Sequence, residues 1–436
     1  MINSQKIHIS IAGLGTIGSN LINILEKDRK LIIKKKNVDF NILGISSKNK
    51  SKKRIFDIKR YQWHDDPFEL VKNTKCDVFI ELIGEEKGLS FDLVKKALEN
   101  KIHVITANKA MLSKNGNELF KIAENNNVLL LFEAAIAGGI PIIKVIKQSI
   151  FLNKIKKISG ILNGTTNFIL SEMENKKLSF NEVLKEAQQN GYAEINPVND
   201  IDGIDSAHKL SLLSTLCFGS IINFNNVSYK GISNIDIEDI KNAEKLGYRI
   251  KLISESEIID NKIMSIVEPK LISKENHLAN IGGVLNAVKI KTDYLQSLIL
   301  KGEGAGGQAT SSSIISDLYE IAQNINSPSL GYTTNQLIDY EKLDLSNKLE
   351  SYYLRIVVKD ISGVLAKITS NLNEEGISIE TILQTPDKNV SRNQIPIIIV
   401  THETTKKLLK NSLTKIEKLD FVLNNITNIT IDKSID

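Results

Sequence analysis

Cysteine occurs only twice in the 436 residues, as Cys76 and Cys217, far apart and in no metal-ligand spacing. A disulfide framework is therefore not expected, and a reducing compartment suits the chain. Long apolar runs are missing too. A stretch such as 128–132 is far shorter than a bilayer span, and the first five residues lack the charged and apolar regions of a secretion signal. A cytoplasmic protein with no membrane partner is expected. Basic residues outnumber acidic ones by only 56 to 51, for a net charge of +5. They form no concentrated block, so nucleic-acid binding is not suggested. Arginine is confined to Arg29, Arg54, Arg60, Arg249, Arg355 and Arg392. With the many Ile and Asn residues, that scarcity reads as a compositional bias rather than a function. Internal repeats and low-complexity segments are also lacking.

What is present is the composition of a globular protein: 42% hydrophobic and 25% charged residues, in a chain too long for one ordinary core. Short Val/Ile-rich runs at 7–12, 38–46, 76–83, 103–107 and 128–132 read as strands. Helical stretches at 17–26, 90–100 and 110–125 lie between several of them. Such alternation implies a parallel sheet with helices on its faces, a Rossmann-type α/β domain over 1–150. A helix at 312–323 is expected to return to it, so that the segment 305–325 completes the domain. From 155 the pattern changes: a strand at 155–162, helices at 165–175, 180–190 and 202–218, then β-like runs at 248–254, 264–268 and 284–290. This suggests an α+β substrate and dimerisation domain over 151–325. Residues 326–351 are polar and turn-rich and read as a linker. The remainder, 352–436, runs as strand 352–359, helix 364–375, strands 377–383 and 394–400, helix 404–416 and strand 421–431. That βαββαβ order is ferredoxin-like.

Gly13-Leu14-Gly15-Thr16-Ile17-Gly18 follows the first strand directly and opens an amphipathic helix. Gly13 permits the tight turn, Gly15 lets the backbone approach a pyrophosphate, and Gly18 lets helix and strand pack closely. The helix N-terminus presents free N–H groups to the anion. A tight turn without a ligand would use the same glycines, but the flanking strand, helix and repeated β/α units favour a dinucleotide. The second strand ends in Ile45-Ser46-Ser47-Lys48, with Lys50, Lys52 and Lys53 beyond. No carboxylate there would repel a 2′-phosphate, which favours NADPH, with NADH as the alternative. The same lysines also fit a solvated loop.

Asp202, Asp205 and Lys209 stand at spacings of three and four on the expected helix, at the head of a stripe continued by Leu212, Leu213 and Leu216. A charged cluster so placed suits the rim of a cleft, although Asp205 and Lys209 also fit a surface i,i+4 ion pair. Upstream, Gly191-Tyr192-Ala193-Glu194 leads into a loop with Asn196, Pro197, Asn199 and Asp200. Carboxylates converging with a lysine suit a zwitterionic amino acid, and an ammonium near a reducing aldehyde stabilises its oxygen and donates a proton. Asn108-Lys109 follows a parallel strand, where ligands of doubly wound sheets bind, but Lys109 could equally be a surface residue at a helix start.

Several stretches together resemble the homoserine dehydrogenase family: 104–109 (VITANK), 132–141 (FEAAIAGGIP), 160–167 (GILNGTTN), 191–194 (GYAE), 203–210 (GIDSAHKL) and 304–307 (GAGG). The resemblance covers 6–325 in order. It implies that aspartate 4-semialdehyde and homoserine are the substrate pair, in threonine, methionine and isoleucine biosynthesis. It implies Lys209 as proton donor and Lys109 beside nicotinamide and substrate. Glu194, Asp200 and Asp205 match groups around homoserine, Gly164, Thr165 and Tyr192 line the pocket, and Gly306 returns to the cofactor. The family's structural monovalent cation, usually sodium, corresponds to Glu133, Ile136, Gly138 and Ile140. One departure is Asn196-Pro197, where Asp-Pro is common. His208 is expected to serve packing or surface, not catalysis.

The C-terminal part resembles an ACT domain, through Asp360-Ile361-Ser362-Gly363-Val364-Leu365 and the βαββαβ order. Gly363 allows a tight turn whose following N–H groups could meet a carboxylate. Asp360, Gly363, Val364 and Leu365 are thus candidate effector-site residues. In this family the domain implies feedback inhibition by threonine; a dimerisation module without ligand is the alternative. No segment resembling aspartate kinase precedes, so the monofunctional form is expected, as a homodimer or homotetramer.

Overall fold

The computed structural model describes residues 4–72, 75–325, 327–384 and 394–434. Asn326, where the expected linker begins, lies outside them, as do 1–3, 73–74, 385–393 and 435–436 of the expected domains.

The first sheet is built from β1 (Gln5–Ala12), β2 (Val38–Ser46), β3 (Gln62–Trp63), β4 (Val78–Glu81), β5 (His103–Thr106) and β6 (Leu130–Leu131), in the order β3-β2-β1-β4-β5-β6. All its pairings are parallel. The order reverses between β1 and β4, which opens a crevice at their carboxyl ends. α1 (Thr16–Lys27), α2 (Leu89–Glu99) and α3 (Lys109–Asn125) connect the strands. Ile7, Ile9 and Ile11 alternate along β1 and are buried against Leu21, Ile22 and Leu25 of α1.

The second sheet has twelve strands. Its middle part contains β7 (Ile155–Ile161), followed by α4 (Gly164–Lys176), α5 (Phe180–Gln189), α6 (Ile204–Phe218) and α7 (Ile237–Lys245). β8 (Tyr248–Ile259), β9 (Lys262–Ser273), β10 (Leu285–Thr292) and β11 (Ser297–Glu303) complete this part. α8 (Gly307–Ala322) then packs on the first sheet's core through Ile314, Leu318 and Ile321. β8 and β9 form one long hairpin turned by Asp260 and Asn261, both at positive φ (48° and 60°) as a two-residue hairpin turn requires. The sequence pattern places these strands only at 248–254 and 264–268. They run further because the polar Glu255 is buried in the sheet between Lys270 and Lys157. α7 and β11 have no counterpart in the sequence reading.

The C-terminal module is β12 (Leu349–Lys359), α9 (Val364–Glu374), β13 (Ile379–Gln384), β14 (Gln394–Thr401), α10 (Lys406–Ile416) and β15 (Thr427–Asp432). Its four strands lie antiparallel in the order β15-β12-β14-β13. β15 also pairs in parallel with β9, so this sheet continues the middle one. The last strand starts at Thr427 rather than 421, since Leu419–Val422 closes a turn. The polar stretch before β12 is tied down: Leu130 N–H donates to Ser329, Thr334 donates to Glu124, and Glu341–Lys342 pairs with β9. No helix among the described residues is long and apolar enough to cross a membrane.

Candidate active site

At the end of β1, Gly13 has φ +99°, and a Cβ there would lie 2.3 Å from the Leu82 carbonyl oxygen. A Cβ on Gly18 would meet the Gly13 oxygen at 2.1 Å, whereas nothing lies within 4 Å of one on Gly15. Two glycines are thus required by the protein's own packing, and the third faces open space. Leu14 is buried beneath the turn, and Thr16 and Ile17 open α1. Gly306, at φ +111°, heads α8, and a Cβ on the adjacent Gly307 would collide with the Asn20 amide of α1 at 2.3 Å. Gly306 therefore stands at the same mouth. After β2, Arg54 folds its loop by donating to the carbonyls of Asn49, Lys50 and Lys52, and Lys50 and Arg54 lie over the Trp63 ring. Sequence reading missed Arg54, and no local pattern marks it.

Glu81, also missed, closes β4 fully buried. It accepts from Ile83 and Gly84 N–H, Ser90 and Thr106, which shapes the loop beside Gly13 and ties it to β5. Asn108 then caps α3 by accepting from Met111 N–H at 3.0 Å, leaving Lys109 as the first helical residue.

Lys109 meets Asp205 across the cleft, Nζ to Oδ1 at 3.2 Å. The other oxygen of Asp205 is 2.7 Å from Lys209 Nζ, which also donates to the Leu162 carbonyl at 2.8 Å. Lys209 is nearly enclosed, with its side chain 9% exposed, while that of Lys109 is 40% exposed. Burial pushes the Asp205 carboxyl up, but the two ammonium groups outweigh it and hold it well below the usual carboxylate range. The Asp205 charge raises Lys109 above its ordinary value, helped by Asp200 and Glu194. Asp200, on the short helix Val198–Ile201, is raised by burial and by Asp205, against the Asn163 amide that donates to it at 2.7 Å.

The structure thus brings Lys109, Asp200, Asp205 and Lys209 together. Glu194 is exposed and acts on the cluster from the rim. Gly164 and Thr165 head α4; a Cβ on Gly164 would lie 2.6 Å from the Val284 oxygen, and Thr165 donates to the Tyr192 carbonyl at 2.6 Å. The Tyr192 ring packs on Phe168 and stays 45% exposed. Asp202 is not on the helix with Asp205: Gly203, at φ +83°, breaks the chain there, and Asp202 accepts from Ser233 instead. Asn196 is exposed and accepts from Val198 N–H at 3.4 Å. His208 is buried, bonded to Ser113 at 2.6 Å and stacked on Phe224.

In the loop after β6, Gly138 has φ +58°, and a Cβ there would lie 2.4 Å from the Gly304 oxygen. The Glu133 carboxylate accepts from Ile143 and Lys144 N–H, and burial with Asp317 nearby pushes it up to about 7. Gly138 O accepts from Ser313 and Ile140 O from Ile142 N–H. Among the described residues no group of three or more His, Cys, Asp or Glu could hold a metal ion. The Gly138 and Ile140 oxygens each carry one internal hydrogen bond, and the remaining lone pair of such a carbonyl is a hard, uncharged donor of the kind a monovalent ion takes. On the C-terminal module, Gly363 at φ +88° heads α9, with Val364 buried and Asp360 and Leu365 exposed.

The sequence matches the NAD-binding domain of homoserine dehydrogenase over residues 13–133 and the homoserine dehydrogenase domain over 141–319. A homoserine dehydrogenase of Neisseria gonorrhoeae is 39% identical over 99% of this chain and 100% of its own length. The chain belongs to the homoserine dehydrogenase family. It is accordingly an NAD(P)-dependent oxidoreductase, and residues 352–421 match the ACT domain. The solved homoserine dehydrogenase of Thiobacillus denitrificans superposes with a TM-score of 0.89 at 36% identity, covering 99% of both chains. A hyperthermophilic archaeal homoserine dehydrogenase mutant, solved in complex with NADPH, aligns with 74% of this chain and 99% of its own at 27% identity and a TM-score of 0.61.

Proposed function

We propose that the chain reduces L-aspartate 4-semialdehyde to L-homoserine with NADPH as the preferred donor, in threonine, methionine and isoleucine biosynthesis. The observation that carries this reading is the Lys209 ammonium, held between Asp205 and the Leu162 carbonyl. The nicotinamide, when bound, supplies hydride to the aldehyde carbon. Negative charge then grows on the aldehyde oxygen, where Lys209 donates a proton and the more exposed Lys109 polarises the reacting group. The two ammonium groups face three carboxylates, Asp200, Asp205 and Glu194, so the cluster keeps negative charge for the substrate's own ammonium. Gly164, Thr165 and Tyr192 line the pocket.

For the cofactor, Gly13, Leu14, Gly15, Thr16, Ile17 and Gly18 would hold the pyrophosphate, with Gly306 at the same mouth. The preference for NADPH rests on the absence of a carboxylate at Ser46 and Ser47 and on the nearby Arg54 and Lys50. Backbone oxygens of Glu133, Ile136, Gly138 and Ile140 would hold a sodium ion that stiffens the loop. The turn at Asp360, Gly363, Val364 and Leu365 would take the carboxylate of threonine as a feedback inhibitor. In Lys209→Ala, kcat for aldehyde reduction should fall by about 10²–10⁴ while the KM for NADPH stays unchanged. Near-parental turnover would sink the assignment.

A further inference from the structure

Asn163 has no part in the reaction as read above, yet it touches two carboxylates of the site, the buried Asp205 and the half-buried Asp200. It is itself buried, 4% exposed, and caps α4 by accepting from Thr166 N–H at 2.8 Å. That backbone donor fixes which end of the amide carries oxygen, so the NH2 group faces the other way. One side-chain nitrogen then donates to Asp200 Oδ1 at 2.7 Å and to Asp205 Oδ2 at 2.9 Å. We propose that Asn163 is a positioning residue for the reaction, whose amide keeps Asp200 and Asp205 both ionised and set apart in front of the two lysines. This inference rests on the reading of those carboxylates as the binders of the substrate's ammonium.

The physical case is charge. Two carboxylates that share one donor repel each other, and without compensation the less well paired one takes up a proton. Asp205 has Lys109 from α3 and Lys209 from its own helix α6. Among the described residues Asp200 has a direct side-chain hydrogen bond from Asn163 alone, and it feels both lysines from further off. Glu194 adds negative charge from the loop after α5, and His208 on α6 senses Asp205 but is held neutral by burial. Of these two carboxylates Asp200 is thus the one that loses its charge first, and its tendency to rise is opposed by the Asn163 hydrogen bond. A protonated Asp200 no longer attracts an ammonium group.

The test uses Asn163→Asp and Asn163→Ser in the full chain. Both side chains can still cap α4, but neither has an NH2 group to share between the carboxylates. The readout is kcat/KM for aldehyde reduction against pH, with melting temperature and the KM for NADPH alongside. The acid limb should move to higher pH by about one unit in Asn163→Asp, and in the same direction in Asn163→Ser. The KM for the aldehyde should rise in both, with little change in the KM for NADPH. A purely structural cap would leave the acid limb where it is. If Asn163→Asp fails to fold, Asn163→Ser decides the matter. Asp200→Asn serves as the reference: if it alters the aldehyde KM while both Asn163 variants keep the parental acid limb, the inference falls and the reading of the site stands. If Asp200→Asn leaves that KM unchanged, both fall.

Discussion

Arg355 on β12 grips Asp239 on α7 through two hydrogen bonds, of 2.6 and 3.0 Å, and so fastens the ACT domain to the helix beside the middle sheet. Asp239 is fully buried, accepts a third bond from the Tyr353 hydroxyl, and caps its own helix by accepting from Asp236 N–H. Removing the guanidinium leaves a buried carboxylate without its counter-charge. Arg355→Ala should therefore cost about 3–5 kcal/mol, read as a lower denaturation midpoint. A midpoint equal to the parent's would show that the contact contributes little.

The three glycines of the first turn should separate folding from binding. Gly18→Ala drives a Cβ into the Gly13 carbonyl and should lower stability by about 1–3 kcal/mol. Gly15 has φ −74°, which alanine adopts freely, and no protein atom near its missing Cβ. Gly15→Ala should keep the parental melting temperature and weaken NADPH at least about tenfold (some 1.4 kcal/mol). Titration of cofactor fluorescence with each variant measures both effects, and equal affinity in Gly15→Ala would contradict a phosphate at that turn.

Asp205 holds Lys109 above its ordinary ammonium value. In Asp205→Asn that charge is gone, so Lys109 should lose its proton at lower pH. The base limb of aldehyde reduction should accordingly shift to lower pH, with kcat reduced by about 10²-fold. A pH–rate profile checks the direction, and a shift to higher pH would rule out the pairing as the cause.

His208 is pushed down to about 4, chiefly by burial. Its folded value lies below the unfolded value of about 6.5, so the neutral ring favours the fold fully above that pH. That stability is lost as pH falls from about 6.5 towards 4, by about 3 kcal/mol in all. His208→Gln should flatten this slope in melting temperature against pH. An unchanged slope would assign the acid sensitivity to other groups.

Local order was readable wherever a single segment carries its own reason. The turn glycines act within six residues, β1 alternates Ile7, Ile9 and Ile11, and Asp205 reaches Lys209 across one helical turn. The polar strand around Glu255 was not readable, because its burial depends on Lys157 and Lys270 from neighbouring strands. Asp202 was misplaced because a glycine at positive φ interrupts a pattern that otherwise continues as a helix.

By itself, then, the sequence determined the glycine turn, the strand–helix alternation, the C-terminal βαββαβ order and the residue types of a charged cleft. These follow from short-range sterics and periodicity. Only the tertiary structure decided that Lys109 meets Asp205, that Asn163 joins Asp200 to Asp205, and that β15 extends the middle sheet along β9. Each of those contacts joins groups distant in the chain. Which carboxylate faces which ammonium is set by the packing of whole elements, and no local pattern encodes that.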